Sequence, residues 1–152
     1  MSGSDAPLLF DDIRVGTVLS TAEVYEITRE EIVEVASRWD PQPFHLDDEA
    51  GANSHFGGLV ASGLHTLAAS LRLSYHERPR TAAVAGLGFD QLRMLRAVRP
   101  GDRLAQTTEI VGVRPSVTRR DRGIVQARRT VHNQNGVPVM TYVLTWMVER
   151  AT

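Results

Sequence analysis

Asp40 and His45 stand five residues apart in the run Asp40-Pro41-Gln42-Pro43-Phe44-His45. A carboxylate and an imidazole are the usual side chains for moving protons near neutral pH. Taken singly, they read as a turn residue and a surface loop residue. The two prolines between them argue for more. Each fixes its own φ near about −65° and pushes the preceding residue toward extended geometry. The segment therefore predicts a stiff, extended loop that cannot continue a helix and that holds an acid/base pair in register.

A second feature lies in Phe56-Gly57-Gly58-Leu59-Val60-Ala61-Ser62-Gly63. Ser62 is a good helix N-cap, and that structural role stands whatever else the segment does. A helix N-terminus also presents free N–H groups and partial positive charge. Gly63, at the first turn, has no Cβ to block a carbonyl oxygen. Enolate charge developing on a thioester oxygen would be stabilised there, and such a donor is typically worth about 2.7–4 kcal/mol in the transition state.

An Asp, a His and an oxyanion-binding N–H are the parts needed to add water across an α,β-unsaturated thioester. One group activates water toward the β-carbon. The same or the other group protonates the α-carbon, and the N–H holds the enolate in between. Positioned proton transfer contributes roughly 10²–10⁴-fold.

The elements that must position these groups are legible in the pattern. Alternation over 17–27 (Val18, Thr21, Val24, Ile27) suggests a strand. Thr28 and Glu31 have capping-box spacing, with Ile27 and Ile32 at the staple positions. Ile32, Val35, Ala36 and Trp39 then share a helical face, and Pro41 ends that helix at Trp39 or Asp40. Residues 46–50 predict an acidic helical turn. A second helix is expected from Ser62 to about His76, with Leu64, Leu67, Ala68 and Leu71 as its apolar stripe. Ala69 and Ser70 are small enough to let a sheet wrap closely round it. Four strands follow, over 83–95, 103–113, 124–133 and 137–149, separated by the turn signals Arg99-Pro100-Gly101-Asp102, Asp121-Arg122-Gly123 and Asn135-Gly136. Segregated helices and strands argue α+β, an antiparallel sheet packed on a helix. The expected organisation is a flexible start over 1–9 and one domain over 10–150.

Composition narrows the chemistry. With 152 residues, 42% of them hydrophobic, the chain can bury a sizeable core. A net charge of −1 with balanced signs gives no reason to expect nucleic-acid or membrane partners. There is no cysteine, which removes disulfides, thiolate catalysis and Cys-based metal sites, and fits a cytoplasmic location. All 17 basic residues are arginine, so Schiff-base and lysine-base chemistry are excluded. Neither a signal-peptide pattern nor a membrane-length apolar run is present.

Other candidates are weaker. His45, Asp47, Asp48 and Glu49 could be drawn as a metal site, but neighbouring positions point different ways and acidic residues suit a helix's first turn without metal. No metal is expected. His55 reads as a loop residue and His65 as a helix-face residue, with His65 held in reserve for its place near the start of the second helix. His76 and His132 read as structural or solvated. Arg119, Arg120, Arg122, Arg128 and Arg129 read first as a solvated hairpin, then as a phosphate contact, and last as a nucleic-acid contact.

The chain resembles the MaoC-like acyl dehydratases, which include the (R)-specific enoyl-CoA hydratases. Three runs carry the resemblance: Asp40 to Asp47, Phe56 to Leu64, and Phe89-Asp90-Gln91-Leu92-Arg93-Met94-Leu95-Arg96-Ala97-Val98-Arg99-Pro100-Gly101-Asp102. It extends over residues 10–149. It implies a hot-dog fold, a long helix wrapped by an antiparallel sheet, forming a homodimer with the site near the interface. It implies Asp40 and His45 as the catalytic pair and Gly63 as the oxyanion donor, with Ser62 and Gln42 beside the substrate. Coenzyme A would be part of the substrate, and no separate cofactor is required. The family pattern is Asp-x-Asn-Pro-x-His, then a segment ending His-Gly. Gln42 and Ser62 depart from it. Gln is one methylene longer, which predicts rearranged loop hydrogen bonds, and Ser62 keeps the cap but removes an imidazole.

The expected function is reversible hydration of a trans-2-enoyl thioester, enoyl-CoA to (R)-3-hydroxyacyl-CoA. Two rivals remain at this level: a hot-dog thioesterase, and a non-catalytic acyl-thioester binder. Small residues Ala68, Ala69 and Ser70 could line an acyl pocket or merely pack under the sheet.

Overall fold

The structure is a computed structural model that describes residues 6–151. After a 3-10 turn at Phe10–Asp12, the elements are β1 (Val18–Leu19), β2 (Tyr25–Glu26), α1 (Arg29–Trp39), α2 (Pro43–Leu46), α3 (Asp48–Ala52), α4 (Gly63–Ser74), β3 (Ala83–Met94), β4 (Arg103–Pro115), β5 (Arg122–His132) and β6 (Pro138–Glu149). The sheet runs β1-β4-β5-β6-β3, with β2 also on β4, and the strands pair antiparallel. Two hairpins build β4-β5-β6, and β3 closes on the outer side of β6. The sheet curls round α4, the hot-dog arrangement expected from the sequence.

The core follows from which side chains face this wrap. Ile27, Ile32, Leu73, Leu104, Val131, Met140 and Tyr142 form one buried cluster. Phe10, Ile13, Leu19, Ile110, Val125, Trp146 and Val148 form another, and Leu144 packs against both. Full burial of an Ile or Leu side chain contributes about 1.5–3 kcal/mol.

Several expectations are corrected in detail. The strand over 17–27 is two pairs of residues, β1 and β2. The acidic turn lies slightly later, at α3, where the Asp47 carboxylate accepts from Ala50 N at 2.9 Å. The proline segment is not extended throughout. Pro43 opens α2, because a proline suits the first helical position, where no N–H is needed. The stripe of α4 is out of phase: Leu64 and Leu71 are exposed, while His65, Thr66, Ala69, Ser70 and Leu73 are buried. Apolar residues on the far side of α4 misled the periodicity. Part of the expected flexible start, residues 1–5, lies outside the described residues. Within the rest of it, Leu8 N donates to Arg80 O, and Leu8 bridges Thr81.

β3 is unlike the other long strands. It is exposed along most of its length, with Leu87, Phe89 and Met94 among its open apolar residues. Among the described residues it pairs with a strand, β6, on one side only. Near its end the register slips between Asp90 and Arg93, and Gln91 sits at φ 53°. This bulge precedes Met94, whose side chain covers Gly63. No helix among the described residues is long and apolar enough to cross a membrane.

Candidate active site

Asp40 is the C-cap of α1. Its N–H closes the helix on Ala36 O at 3.0 Å, which leaves the carboxylate projecting past the helix end. The backbone then turns tightly. Gln42 N donates to Asp40 O at 2.8 Å, and His45 N donates to Gln42 O at 2.9 Å. This brings His45, on α2, back over Asp40, with Nε2 3.3 Å from Asp40 Oδ2. The His45 side chain is only 8% exposed and the Asp40 side chain 34%.

The imidazole is set in one tautomer. Val60 O lies 2.6 Å from His45 Nδ1, and a carbonyl can only accept, so Nδ1 carries the hydrogen and donates it. Neutral His45 therefore presents the Nε2 lone pair to Asp40. Phe44 stacks edge-on against the ring at 4.6 Å and adds apolar cover.

Val60 belongs to the glycine-rich segment, and its position has a steric cause. A Cβ on Gly51, in α3, would lie 2.6 Å from Leu59 N and 2.7 Å from Gly58 C. Only glycine lets α3 and this segment approach so closely. Ala61 N then donates to Val98 O at 2.8 Å, which anchors the segment to the loop before β4.

Ser62 follows as the N-cap of α4. Its Oγ accepts from Leu64 N at 3.2 Å and donates to Asp40 Oδ2 at 2.7 Å. One hydroxyl thus joins the start of α4 to the end of α1. Gly63 N, the first amide of α4, has no acceptor among the described residues. It is one of the orphan donors of a helix start. A Cβ at Gly63 would overlap the Met94 thioether.

Asp40, His45, Ser62 and Gly63 line one cavity of about 820 Å³. Its inner wall is Val60, Val98, Val139, Met140 and Thr66, all buried. Its outer rim includes the exposed Trp39 and Met94, together with His55, Arg96 and Arg99. The arrangement can polarise water between a carboxylate and an imidazole lone pair, and can accept a carbonyl oxygen at a helix N-terminus.

Gln42 does not line the cavity. It is exposed and its side chain caps nothing, so it contributes through the backbone turn between Asp40 and His45. The drawn metal set does not converge either. His45 is tied to Val60, Asp47 caps α3, and Asp48 pairs with Arg29 at 2.6 Å. Among the described residues no three His, Asp or Glu side chains are grouped to hold a metal. Ala69 and Ser70 pack under the sheet and Ala68 is exposed; none lines this cavity. The basic cluster divides: Arg119 and Arg122 pair with Asp121 at the surface, whereas Arg129 is buried beside Glu77.

His65 takes a role that spacing alone did not show. Its Nε2 lies 2.6 Å from Glu31 Oε1, and the same carboxylate accepts from Tyr25 OH at 2.8 and 3.0 Å. The capping-box spacing holds on one side: the Glu31 N–H donates to Thr28 Oγ1, but its side chain serves Tyr25 and His65 instead. Burial and the hydrogen bond to Glu31 raise the Tyr25 phenol above its ordinary value near 10.0. The cluster ties β2, α1 and α4 together one turn from the oxyanion position. Not assigned to the site from the sequence are Thr66, Met94, Arg96, Arg99 and Met140, although Met94, Arg96 and Arg99 lie in the run Phe89 to Asp102. The only available signal for the first was a polar repeat every four residues along one helix face: Ser62, Thr66, Ser70, Ser74.

Known proteins share this fold. The profile of the MaoC like domain matches residues 12–134. A MaoC-like dehydratase from Rhodospirillum rubrum superposes with a TM-score of 0.88 at 36% identity, covering 95% of this chain and 99% of that one. An (R)-hydratase from Pseudomonas aeruginosa shares the fold, with a TM-score of 0.76 at 23% identity and coverage of 95% and 88%. A Bacillus subtilis protein, YdeM, described as uncharacterized, is 28% identical over 141 residues, 92% of this chain and 98% of its own. The chain belongs to the MaoC-like dehydratase family, with the hot-dog fold of that family.

Proposed function

We propose that the protein catalyses reversible hydration of a trans-2-enoyl thioester to the (R)-3-hydroxyacyl thioester, on coenzyme A. The observation that carries this reading is the meeting of Asp40 Oδ2, His45 Nε2 and the free Gly63 N–H in one apolar-walled cavity. A water that contacts both the carboxylate and the imidazole gives a proton to Nε2 as its oxygen bonds to the β-carbon. The electron pair of the carbon–carbon double bond moves toward the thioester oxygen, where the Gly63 N–H and the α4 dipole stabilise it. The proton then passes to the α-carbon as the enolate collapses. Water is added in full, and both side chains return to their starting state. The reading requires no cofactor beyond the coenzyme A of the substrate.

Arg96 and Arg99 stand at the mouth, exposed and outside any ion pair among the described residues. Arg99 instead donates to Phe56 O at 2.6 Å, and Arg96 to Leu95 O at 2.9 Å. Guanidinium groups so held suit the phosphates of coenzyme A. The open edge and exposed apolar residues of β3 support a homodimer paired along that strand.

Asp40→Asn tests the reaction. Enoyl-CoA consumption, followed spectroscopically, should fall by at least about 10²-fold with the fold intact by circular dichroism. Full activity in that variant overturns the assignment. Release of free thiol by the wild type, without hydroxyacyl product, would mark a thioesterase instead.

A further inference from the structure

The inner end of the catalytic cavity is not simply apolar. Thr66 is 3% exposed and lines the cavity together with Val60 and Met140. Its hydroxyl makes no hydrogen bond among the described residues, not even the common one to the carbonyl one turn back. Among the described residues the only wholly buried side-chain nitrogen or oxygen without a partner is His65 Nδ1, so the Thr66 hydroxyl keeps open space beside it. That space is the cavity.

One turn deeper the wall changes character. Ser70 and Tyr142 are 0% and 1% exposed, and neither lines the cavity. Ser70 Oγ donates to Gln106 Oε1 at 2.7 Å and lies 2.6 Å from Tyr142 OH. Gln106 Nε2 and Thr108 Oγ1 donate to Glu77 Oε1 at 2.7 and 2.5 Å. Arg129 donates to Thr108 and Tyr142, each at 3.2 Å, and lies 3.7 Å from Glu77 Oε2. This is a closed, charge-balanced polar plug. An apolar tail could pass it only by stranding buried polar groups, which is costly.

The spacing along α4 sets a scale. At about 1.5 Å per residue, Thr66 lies ~4.5 Å and Ser70 ~10 Å beyond Gly63. An extended chain advances about 1.2 Å per bond. With the thioester oxygen on Gly63 N–H, as the hydration reading requires, the Thr66 hydroxyl stands level with roughly carbon 5 of the acyl group. For a tail that runs along α4, allowing van der Waals contact of about 3.5–4 Å, the plug stops the chain near carbon 6.

We propose that the substrate is a short enoyl thioester, no longer than about six carbons, whose tail carries a neutral hydroxyl or carbonyl oxygen that bonds to Thr66. A free tail carboxylate is disfavoured, because Arg129, the cation of the plug, is already balanced by Glu77.

The test uses an isosteric pair, 5-hydroxy-trans-2-pentenoyl-CoA and trans-2-hexenoyl-CoA, with trans-2-decenoyl-CoA as the length probe. Wild type should favour the hydroxylated substrate over hexenoyl-CoA by about tenfold in kcat/KM. Thr66→Val should reduce that ratio to within about twofold, and Thr66→Ser should keep it. Decenoyl-CoA should fall at least about tenfold below hexenoyl-CoA. Equal use of the pair by wild type, a preference that survives in Thr66→Val, or efficient decenoyl turnover each overturns the proposal. Calorimetric binding of 5-hydroxypentanoyl-, hexanoyl- and decanoyl-CoA to wild type and Thr66→Val reads the same preference without turnover. Loss of hydration with the binding preference intact sinks the reaction assignment alone. Hydration with no preference sinks this inference alone.

Discussion

Ser62 Oγ donates to Asp40 Oδ2 at 2.7 Å, on the carboxylate oxygen that faces His45 Nε2 at 3.3 Å. The residue that caps the oxyanion helix is therefore also the residue that aims the carboxylate. Two helices distant in sequence, α1 and α4, meet through one hydroxyl. A His at this position, as the family pattern has it, could not make the same short cap to Leu64 N and the same contact to Asp40 with a single oxygen.

Ser62→Ala removes both bonds. Loss of an N-cap of this kind costs about 0.5–2 kcal/mol of stability, which denaturant titration should show. Hydration should drop by about tenfold or more as Asp40 loses its orientation. Ser62→Thr should recover much of both. An unchanged kcat in Ser62→Ala would mean that His45 and the backbone hold Asp40 without help.

Gly63→Ala should leave stability unchanged or slightly raised, since alanine is the better helix former by about 1 kcal/mol. Its Cβ would overlap the Met94 thioether, which must move within the mouth of the oxyanion position. Turnover should fall by about 10²-fold. The double variant Gly63→Ala, Met94→Ala separates the causes. It recovers activity if the displaced thioether was the obstacle, and does not if the Cβ itself blocks the N–H. Steady-state kinetics on both variants would decide between them.

Arg129→Met leaves Glu77, 3% exposed, buried without its cation. Stranding one charge of a buried pair costs about 3–5 kcal/mol. Arg129→Met with Glu77→Gln should be markedly less destabilised than Arg129→Met alone. Urea denaturation of the wild type, both single variants and the double gives the coupling directly. Additive losses would show that the pair is not coupled.

Stability at alkaline pH should depend on Tyr25. Burial, and then the hydrogen bond to Glu31, raise its phenol above the ordinary 10.0 in the folded state. A group raised on folding contributes stability that is complete below its unfolded pKa and is lost as pH climbs through the folded one. The loss should thus begin above about pH 10. Tyr25→Phe should lack that step while being less stable at neutral pH. An identical alkaline profile in wild type and Tyr25→Phe would refute the link.

Much of this protein was written in local pattern. Thr28 and Ser62 mark helix starts, Pro41 marks a helix end, and Gly101 and Gly136 mark turns at positive φ. These signals act within a few residues, so one chain suffices to read them. The spacing of Asp40 and His45 was legible for the same reason, because a proline-stiffened segment stores its geometry locally.

What only the tertiary structure decided concerns contacts between distant segments. Ser62 reaching Asp40, Val60 O setting the His45 tautomer, and Met94 covering Gly63 all depend on how the sheet closes round α4. The buried face of α4 shows the limit most plainly. Hydrophobicity chose Leu64 and Leu71, but the sheet covers Thr66 and Ser70, because partners on β4 and β6 satisfy Ser70 and the cavity accommodates Thr66. Polar side chains become interior residues only when the fold supplies their partners, and one chain read in order does not show where those partners come from.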